Sequence, residues 1–304
     1  MKSSANDETM PLDAFESRPT QACPTRIATA LDAGFGAEIS SVDLRQPISE
    51  SLREQILAAF AAHHLLIFRG QQLGKDRMGE VAAMFGEVEG NVFRKPDGST
   101  LEAIHQISNL DATGRPAENP YLKSNYFWHS DKAYTPVPAL LTMLHAVELP
   151  PSGGDTQFAD MIRAHASLSD EVRQQISGLR AVHSFEYMRV STDDRPLTDE
   201  ERQAAPPVVH PLVRTHPETR EKSLFVGMYC SHIVGIDHAA GRALLDQLLA
   251  HATQQRFVYT HHWSPGDLVI WDNRCLLHRA VANYNMATSR RVLLRLVVKG
   301  SVAP

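Results

Sequence analysis

The sequence predicts an all-β core with flanking helices, and three observations carry that reading. Short apolar runs rich in β-branched residues close the chain at residues 256–261, 268–272 and 292–299, with a Ser264-Pro265-Gly266-Asp267 turn between the first two. Stretches with apolar residues at helical spacing stand apart from them, at 51–63 and 237–253. No internal repeat or clean domain boundary divides the 304 residues, a length sufficient for one large core.

Residues 1–26 are polar and lack the apolar stretch of a signal peptide, so they read as a poorly ordered tail ahead of a single domain over 27–304. Residues 27–43 alternate loosely around Gly34 and Gly36, as a strand pair or a bulged strand would. Leu52, Ile56, Leu57, Phe60 and Ala61 form the stripe of a helix over 51–63, opened by Ser51. Leu65-Leu66-Ile67-Phe68 follows as a buried strand, and 75–85 as a second helix stopped by Gly86. Residues 87–120 are loop-rich; so long an irregular segment fits a lid-like insertion, and its composition fits disorder equally well. Strands are expected over 127–133 and 139–148, then a Pro150-Pro151-Ser152-Gly153-Gly154 turn. Helices are expected over 160–179 and 237–253; in the second, Leu244, Leu245, Leu248, Leu249 and Ala252 share one face. This order puts a sheet-rich core inside helices, with functional residues in a barrel-like mouth.

Composition narrows the function. A net charge of −5 argues against a nucleic-acid partner, and no apolar run approaches the length that crosses a bilayer. Cys23, Cys230 and Cys275 are odd in number and widely spaced, which opposes a disulfide framework or a zinc knuckle and points to a cytoplasmic home.

Chemistry concentrates in a few positions. Fifteen histidines and 35 acidic residues in 304 positions give about 1.7 His-x-acid pairs by chance, and two occur, so context decides between them. His216-Pro217-Glu218-Thr219 reads as a surface turn. His129-Ser130-Asp131 is instead approached through Tyr126, Phe127 and Trp128, as a water-poor pocket wall would be. On a strand, His129 and Asp131 share one face and can reach one metal ion; two imidazoles and a carboxylate with open positions suit iron. The third ligand must come from elsewhere, and His278, ahead of a basic strand, is the candidate. Thr156, just past the Gly153-Gly154 pair, is either a turn cap or a hydroxyl facing an anion. In the last strand Arg291, Leu293, Arg295 and Val297 share a side, so two cations about 13 Å apart project from an otherwise apolar face. They are either solvated edge arginines or grips for two separate anions.

The ordered set Trp128-His129-Ser130-Asp131, Pro151-Ser152-Gly153-Gly154-Asp155-Thr156, Trp271-Asp272-Asn273-Arg274, His278 and Arg290-Arg291 resembles the taurine dioxygenase family of Fe(II)/2-oxoglutarate-dependent dioxygenases. Within it, the chain is similar to the 2,4-dichlorophenoxyacetate dioxygenase branch, through Ile67-Phe68-Arg69-Gly70 and Pro211-Leu212-Val213-Arg214-Thr215-His216 as well. The resemblance spans roughly residues 27–299. It implies a double-stranded β-helix, or jelly-roll, barrel. It also implies Fe(II) on His129, Asp131 and His278, and the distal carboxylate of 2-oxoglutarate on Thr156 and Arg291. Arg295 then meets the anionic end of the primary substrate, with Asn125 near it; Arg94 and Lys95 are either further anion contacts or a solvated surface.

The implied reaction consumes O2 and 2-oxoglutarate, releases succinate and CO2, and hydroxylates a substrate C–H. The expected partner is a small anionic aromatic substrate, such as an aryloxyalkanoate cleaved to a phenol and an oxo-acid, or a sulfonate such as taurine; a homo-oligomer is expected by resemblance. Two rivals are a non-catalytic anion-binding jelly-roll and a zinc hydrolase, the latter unsupported by any His-Glu-x-x-His helix.

Overall fold

The computed structural model describes residues 27–90, 102–117 and 123–304. Its strands form one seven-stranded sheet and three smaller sheets. Across the large sheet the order is Ala28–Ala30, Ala37–Ile39, Leu65–Phe68, Leu268–Asp272, Leu141–Glu148, Val292–Val298 and His105–Ser108. Every pairing in it is antiparallel except Ala37–Ile39 with Leu65–Phe68. A three-stranded sheet, Val258–His261, Thr156–Asp160 and Leu276–Ala280, faces it.

The large sheet is buried on both faces, which explains why Leu65–Phe68 and residues 268–271 are apolar without a break. Leu66 and Phe68 point to the helices Glu50–His63 and Lys75–Ala83, packing with Ile56, Phe60 and Met78. Leu65 and Ile67 point the other way, into a layer shared with Phe158 and Leu276 of the smaller sheet. Leu294, Leu296 and Val298 belong to the helix side and Leu293 to the layer between the sheets. By parity Arg295 therefore faces that inner layer.

Several expectations are met with shifted edges. The first helix starts at Glu50 because Ser49, not Ser51, caps it, accepting from Leu52 N at 3.2 Å. The late helix runs His238–Ala252, with Asp237 accepting from Ala240 N at 3.0 Å. The helix expected over 160–179 is two, Met161–Ala166 and Asp170–Ile176, each with its own cap, Asp160 and Ser169. Serines on either side of Leu168 give the backbone alternative hydrogen bonds, and the helix breaks there.

One expectation is met in part and another fails. Two sheets face each other between helices, as in a jelly-roll, but no sheet closes into a barrel among the described residues. No strand forms over 127–133: Lys123–Tyr126 is a 3-10 turn, His129 makes one isolated bridge, and Lys132 takes φ +55° as the chain turns away. Among the described residues no helix is long and apolar enough to cross a membrane, and Cys230 and Cys275 are free and buried.

Candidate active site

His278 lies on Leu276–Ala280, reached from Leu268–Asp272 through a turn of three residues. The His129 N–H donates to the His278 carbonyl at 3.1 Å and the His278 N–H returns the bond at 2.8 Å. That reciprocal pair sets the imidazoles side by side, ring centroids 4.1 Å apart. The Asp131 N–H donates to Asn273 Oδ1 at 3.1 Å. Its carboxylate lies with Oδ1 3.9 Å from His129 Nε2 and Oδ2 3.7 Å from His278 Nε2. Cis ligands on an octahedral ion with ~2.1 Å bonds sit about 3.0 Å apart, so a slight contraction would seat one. The two residues of the doublet do converge, through a bridge and a turn rather than through strand parity.

The donors are also in the state a metal requires. Burial pushes the His129 pKa below its ordinary value against the pull of Asp131, and burial with the neighbouring His129 pushes His278 well below. Burial would raise Asp131, but Arg295, His278 and His129 hold its carboxyl well below the usual range. His129 Nδ1 lies 2.7 Å from the Phe127 carbonyl. A proton donated there leaves the lone pair on Nε2, facing the carboxylate. Asn273 Nδ2 donates to Thr142 Oγ1 at 2.9 Å, and the Thr142 hydroxyl donates to Asp131 Oδ2 at 2.5 Å. Neither contact is legible in the sequence, where Thr142 is one polar residue inside a buried strand.

A cavity of about 210 Å3 opens on this cluster, and Asn125, Thr156, Arg291 and Arg295 all line it. Arg291 donates from Nε to the Gly154 carbonyl at 2.8 Å, and no carboxylate pairs with it among the described residues. Burial lowers its pKa. Gly154 sits at φ +70°, and a Cβ there would lie 2.9 Å from Arg291 Cδ, so glycine is what lets the guanidinium cross the turn. Trp263 Nε1 donates to Thr156 Oγ1 at 3.1 Å, which leaves the threonine proton for a ligand oxygen. Asn109, missed in the sequence, accepts the Arg291 N–H at 2.8 Å.

Arg295 is not the open cation the sequence suggests. Its Nη2 lies 2.6 Å from Asp131 Oδ1. Burial would lower its pKa, yet Asp131 more than offsets that and lifts it above the ordinary value. His105, opposite Arg295 on the neighbouring strand, is pushed down to about 4 by burial and by that guanidinium.

Other readings need correction. Trp128 packs in a separate core with Arg279 4.6 Å above its ring, and Phe127 is 45% exposed, so neither walls the cavity. Tyr134, Phe185 and Tyr229 do. His216 lies at a turn but is fully buried, its Nε2 3.0 Å from Asp272 Oδ2. Arg94 and Lys95 lie outside the described residues.

The model of the taurine catabolism dioxygenase TauD, TfdA family matches residues 27–297. The alpha-ketoglutarate-dependent 2,4-dichlorophenoxyacetate dioxygenase of Cupriavidus pinatubonensis is 38% identical over 274 residues, covering 88% of this chain and 95% of that one. The (S)-phenoxypropionate/alpha-ketoglutarate-dioxygenase of Sphingobium herbicidovorans is 34% identical over 90% of this chain and 94% of its own. The crystal structure of AAD-2 in complex with Mn(II) and N-oxalylglycine superposes with a TM-score of 0.81 at 34% identity, over 91% of this chain and 99% of that one. With a buried triad of two imidazoles and a carboxylate, and an arginine that pairs with no carboxylate among the described residues, the match is one of chemistry as well as sequence, and the chain belongs to the TauD/TfdA family of Fe(II)- and 2-oxoglutarate-dependent dioxygenases.

Proposed function

We propose that the protein hydroxylates the C–H next to the ether oxygen of an aryloxyalkanoate, 2,4-dichlorophenoxyacetate being the type of substrate meant. The resulting hemiacetal collapses to a phenol and an oxo-acid. The observation that carries this reading is the cavity wall of Tyr134, Phe185 and Tyr229, an aromatic surface beside cationic side chains. The names of the relatives, which act on phenoxyacetate and phenoxypropionate compounds, support it.

In this reading His129, Asp131 and His278 hold the iron, and Thr156 and Arg291 hold the distal carboxylate of 2-oxoglutarate. Bound Fe(II) supplies the oxygen chemistry that couples decarboxylation of 2-oxoglutarate to hydroxylation of the substrate. The chain itself does the positioning. Asn273 and Thr142 aim the Asp131 carboxylate, Arg295 balances its charge, and Arg291 fixes the keto-acid at the other end. Asn125 stands on the substrate side. The two facing sheets are read as the halves of a double-stranded β-helix; of the segment 87–120 expected as a lid, His105–Ser108 is instead an edge strand of the large sheet, and residues 91–101 and 118–122 lie outside the described residues. Buried aromatic walls exclude water from the reacting carbon.

Succinate release is to be measured across aryloxy, aryl and alkylsulfonate acids. Stimulation by an aryloxyacetate, with the phenol formed in step, is the expected result. If no aryloxy acid stimulates turnover and taurine releases sulfite, the substrate is a sulfonate, which an arginine grips as readily.

A further inference from the structure

A second, smaller cavity of about 50 Å3 lies apart from the iron site, between residues 138–140, the segment 214–217, Arg274 and residues 300–304. Gly300 lets it close. A Cβ there would lie 2.0 Å from the Pro138 carbonyl oxygen, so only glycine allows the chain to cross residues 138–140 so closely.

Two cations line this cavity, and only one is satisfied. Arg274 places Nη2 2.6 Å from Asp272 Oδ2 and Nη1 2.9 Å from Glu218 Oε1. Arg214, on the strand Val213–Thr215, is 5% exposed. Its one hydrogen bond among the described residues runs from Nη2 to the Asn273 carbonyl, at 2.5 Å. Its Nε is buried without a hydrogen-bond partner, and no carboxylate pairs with it among the described residues. Its Cζ lies 3.8 Å from the Phe225 ring centroid, so one face of the guanidinium stacks and its edge is left for a ligand. Burial pushes its pKa down to about 10, which still leaves it charged at neutral pH. A buried cation is costly unless an opposite charge meets it. The space admits one small ion or a few waters, and only the ion balances the charge. Ala139, Leu140 and Pro217 make much of the remaining wall apolar, which disfavours a doubly charged ion.

Arg214 also stands directly behind the iron site. The Asn273 carbonyl that it meets accepts from Ser130 Oγ at 2.7 Å, and Asn273 Oδ1 accepts the Asp131 N–H at 3.1 Å. We propose that this cavity binds a small monovalent anion of the halide class against Arg214, and that the ion steadies Asn273 and, through it, the turn carrying Asp131. Arg214 is then a positioning residue, remote from substrate.

The test replaces sodium gluconate, whose anion is too large for the cavity, by sodium bromide at constant sodium concentration. The enzyme is loaded with Fe(II) and 2-oxoglutarate and kept free of oxygen. Bromide should raise the melting temperature along a saturable curve, by about 2–4 °C, and slow the loss of iron to a chelator at least twofold. Arg214→Met should melt lower and respond to bromide no more than to gluconate. Anomalous diffraction from bromide-soaked wild-type crystals, which needs no variant to fold, should place an ion within hydrogen-bond reach of the Arg214 guanidinium. No saturable bromide effect in wild type, an effect that survives in Arg214→Met, or no ion beside Arg214 each overturn the site. Stabilisation by bromide with unchanged iron loss overturns its link to Asp131.

Discussion

Two groups of buried histidine and carboxylate meet at the same turn, and only one of them is fit for a metal. His129, Asp131 and His278 form the first; His64, His216, Asp272 and Cys275 form the second, and in both the donor atoms lie within 4.8 Å of one another. Asp272 and Asn273 are neighbours in the chain, yet one belongs to each side. In the second group both ring nitrogens of His216 are taken, Nε2 lying 3.0 Å from Asp272 Oδ2 and Nδ1 accepting from Thr219 N at 3.1 Å, whereas Nε2 of His129 and of His278 makes no hydrogen bond among the described residues. Burial, followed by Asp272, pushes the Cys275 thiol pKa far up, so it stays protonated and is a poor ligand. No cavity of the main site reaches these residues. Distance between donors therefore does not make a metal site. Imidazole Nε2 atoms free of hydrogen bonds and an opening onto a cavity do.

The contrast is broken most severely by exchanging the consequences of one substitution in each group. His129→Ala should drop succinate release to background while the protein still melts cooperatively. Asp272→Ala should do the reverse: taking the buried carboxylate from His216 and from Arg274, which keeps only Glu218, costs about 3 kcal/mol of stability, read as a fall in melting temperature, with the folded fraction still binding iron. Elemental analysis should give one metal per chain in wild type; two would put the second group in the wrong class.

Smaller effects sharpen the difference. Arg291→Met should raise the KM for 2-oxoglutarate by about 10–100-fold, the loss of a charge-assisted bidentate grip, and leave metal affinity unchanged. Thr142→Val, which removes only the hydroxyl behind Asp131, should weaken iron binding about tenfold, measured by competition with a chelator. The same substitution should leave the His216–Asp272 pair and its stability contribution intact.

Acid should affect the metal-free fold gradually. The pKa values of His64, His105, His183 and His278 are lowered, chiefly by burial, so the unfolded chain binds their protons first. Stability is then complete above the ordinary histidine value near pH 6.5 and declines as pH falls below it. Asp131 and Asp272, both held low, add a second decline below the ordinary aspartate value. Urea unfolding of the metal-free protein from pH 8 to 4 checks the sign; rising stability over that range would contradict the buried neutral imidazoles.

The large helices and central strands were legible because each buries a continuous apolar face, and the 3.6- and 2-residue periods survive in the sequence. The triad was legible because His129, Asp131 and His278 stand in an ordered motif. Trp128 misled, since adjacent aromatics point to different places once the chain leaves strand geometry. The buried Arg189–Asp194 pair was hidden in the 183–205 stretch, where one arginine among several carries no mark of burial.

The order of chemical groups along this chain determined its family, its reaction and the identity of its candidate metal and keto-acid contacts, because these depend on residue type and spacing in a motif. Only the folded structure decided that Arg295 pairs with Asp131 and that His216 is sealed beside Asp272. Those outcomes depend on which charges meet across 163 and 55 intervening residues in a dry interior, where each polar group must find a partner, and local sequence holds no record of such meetings.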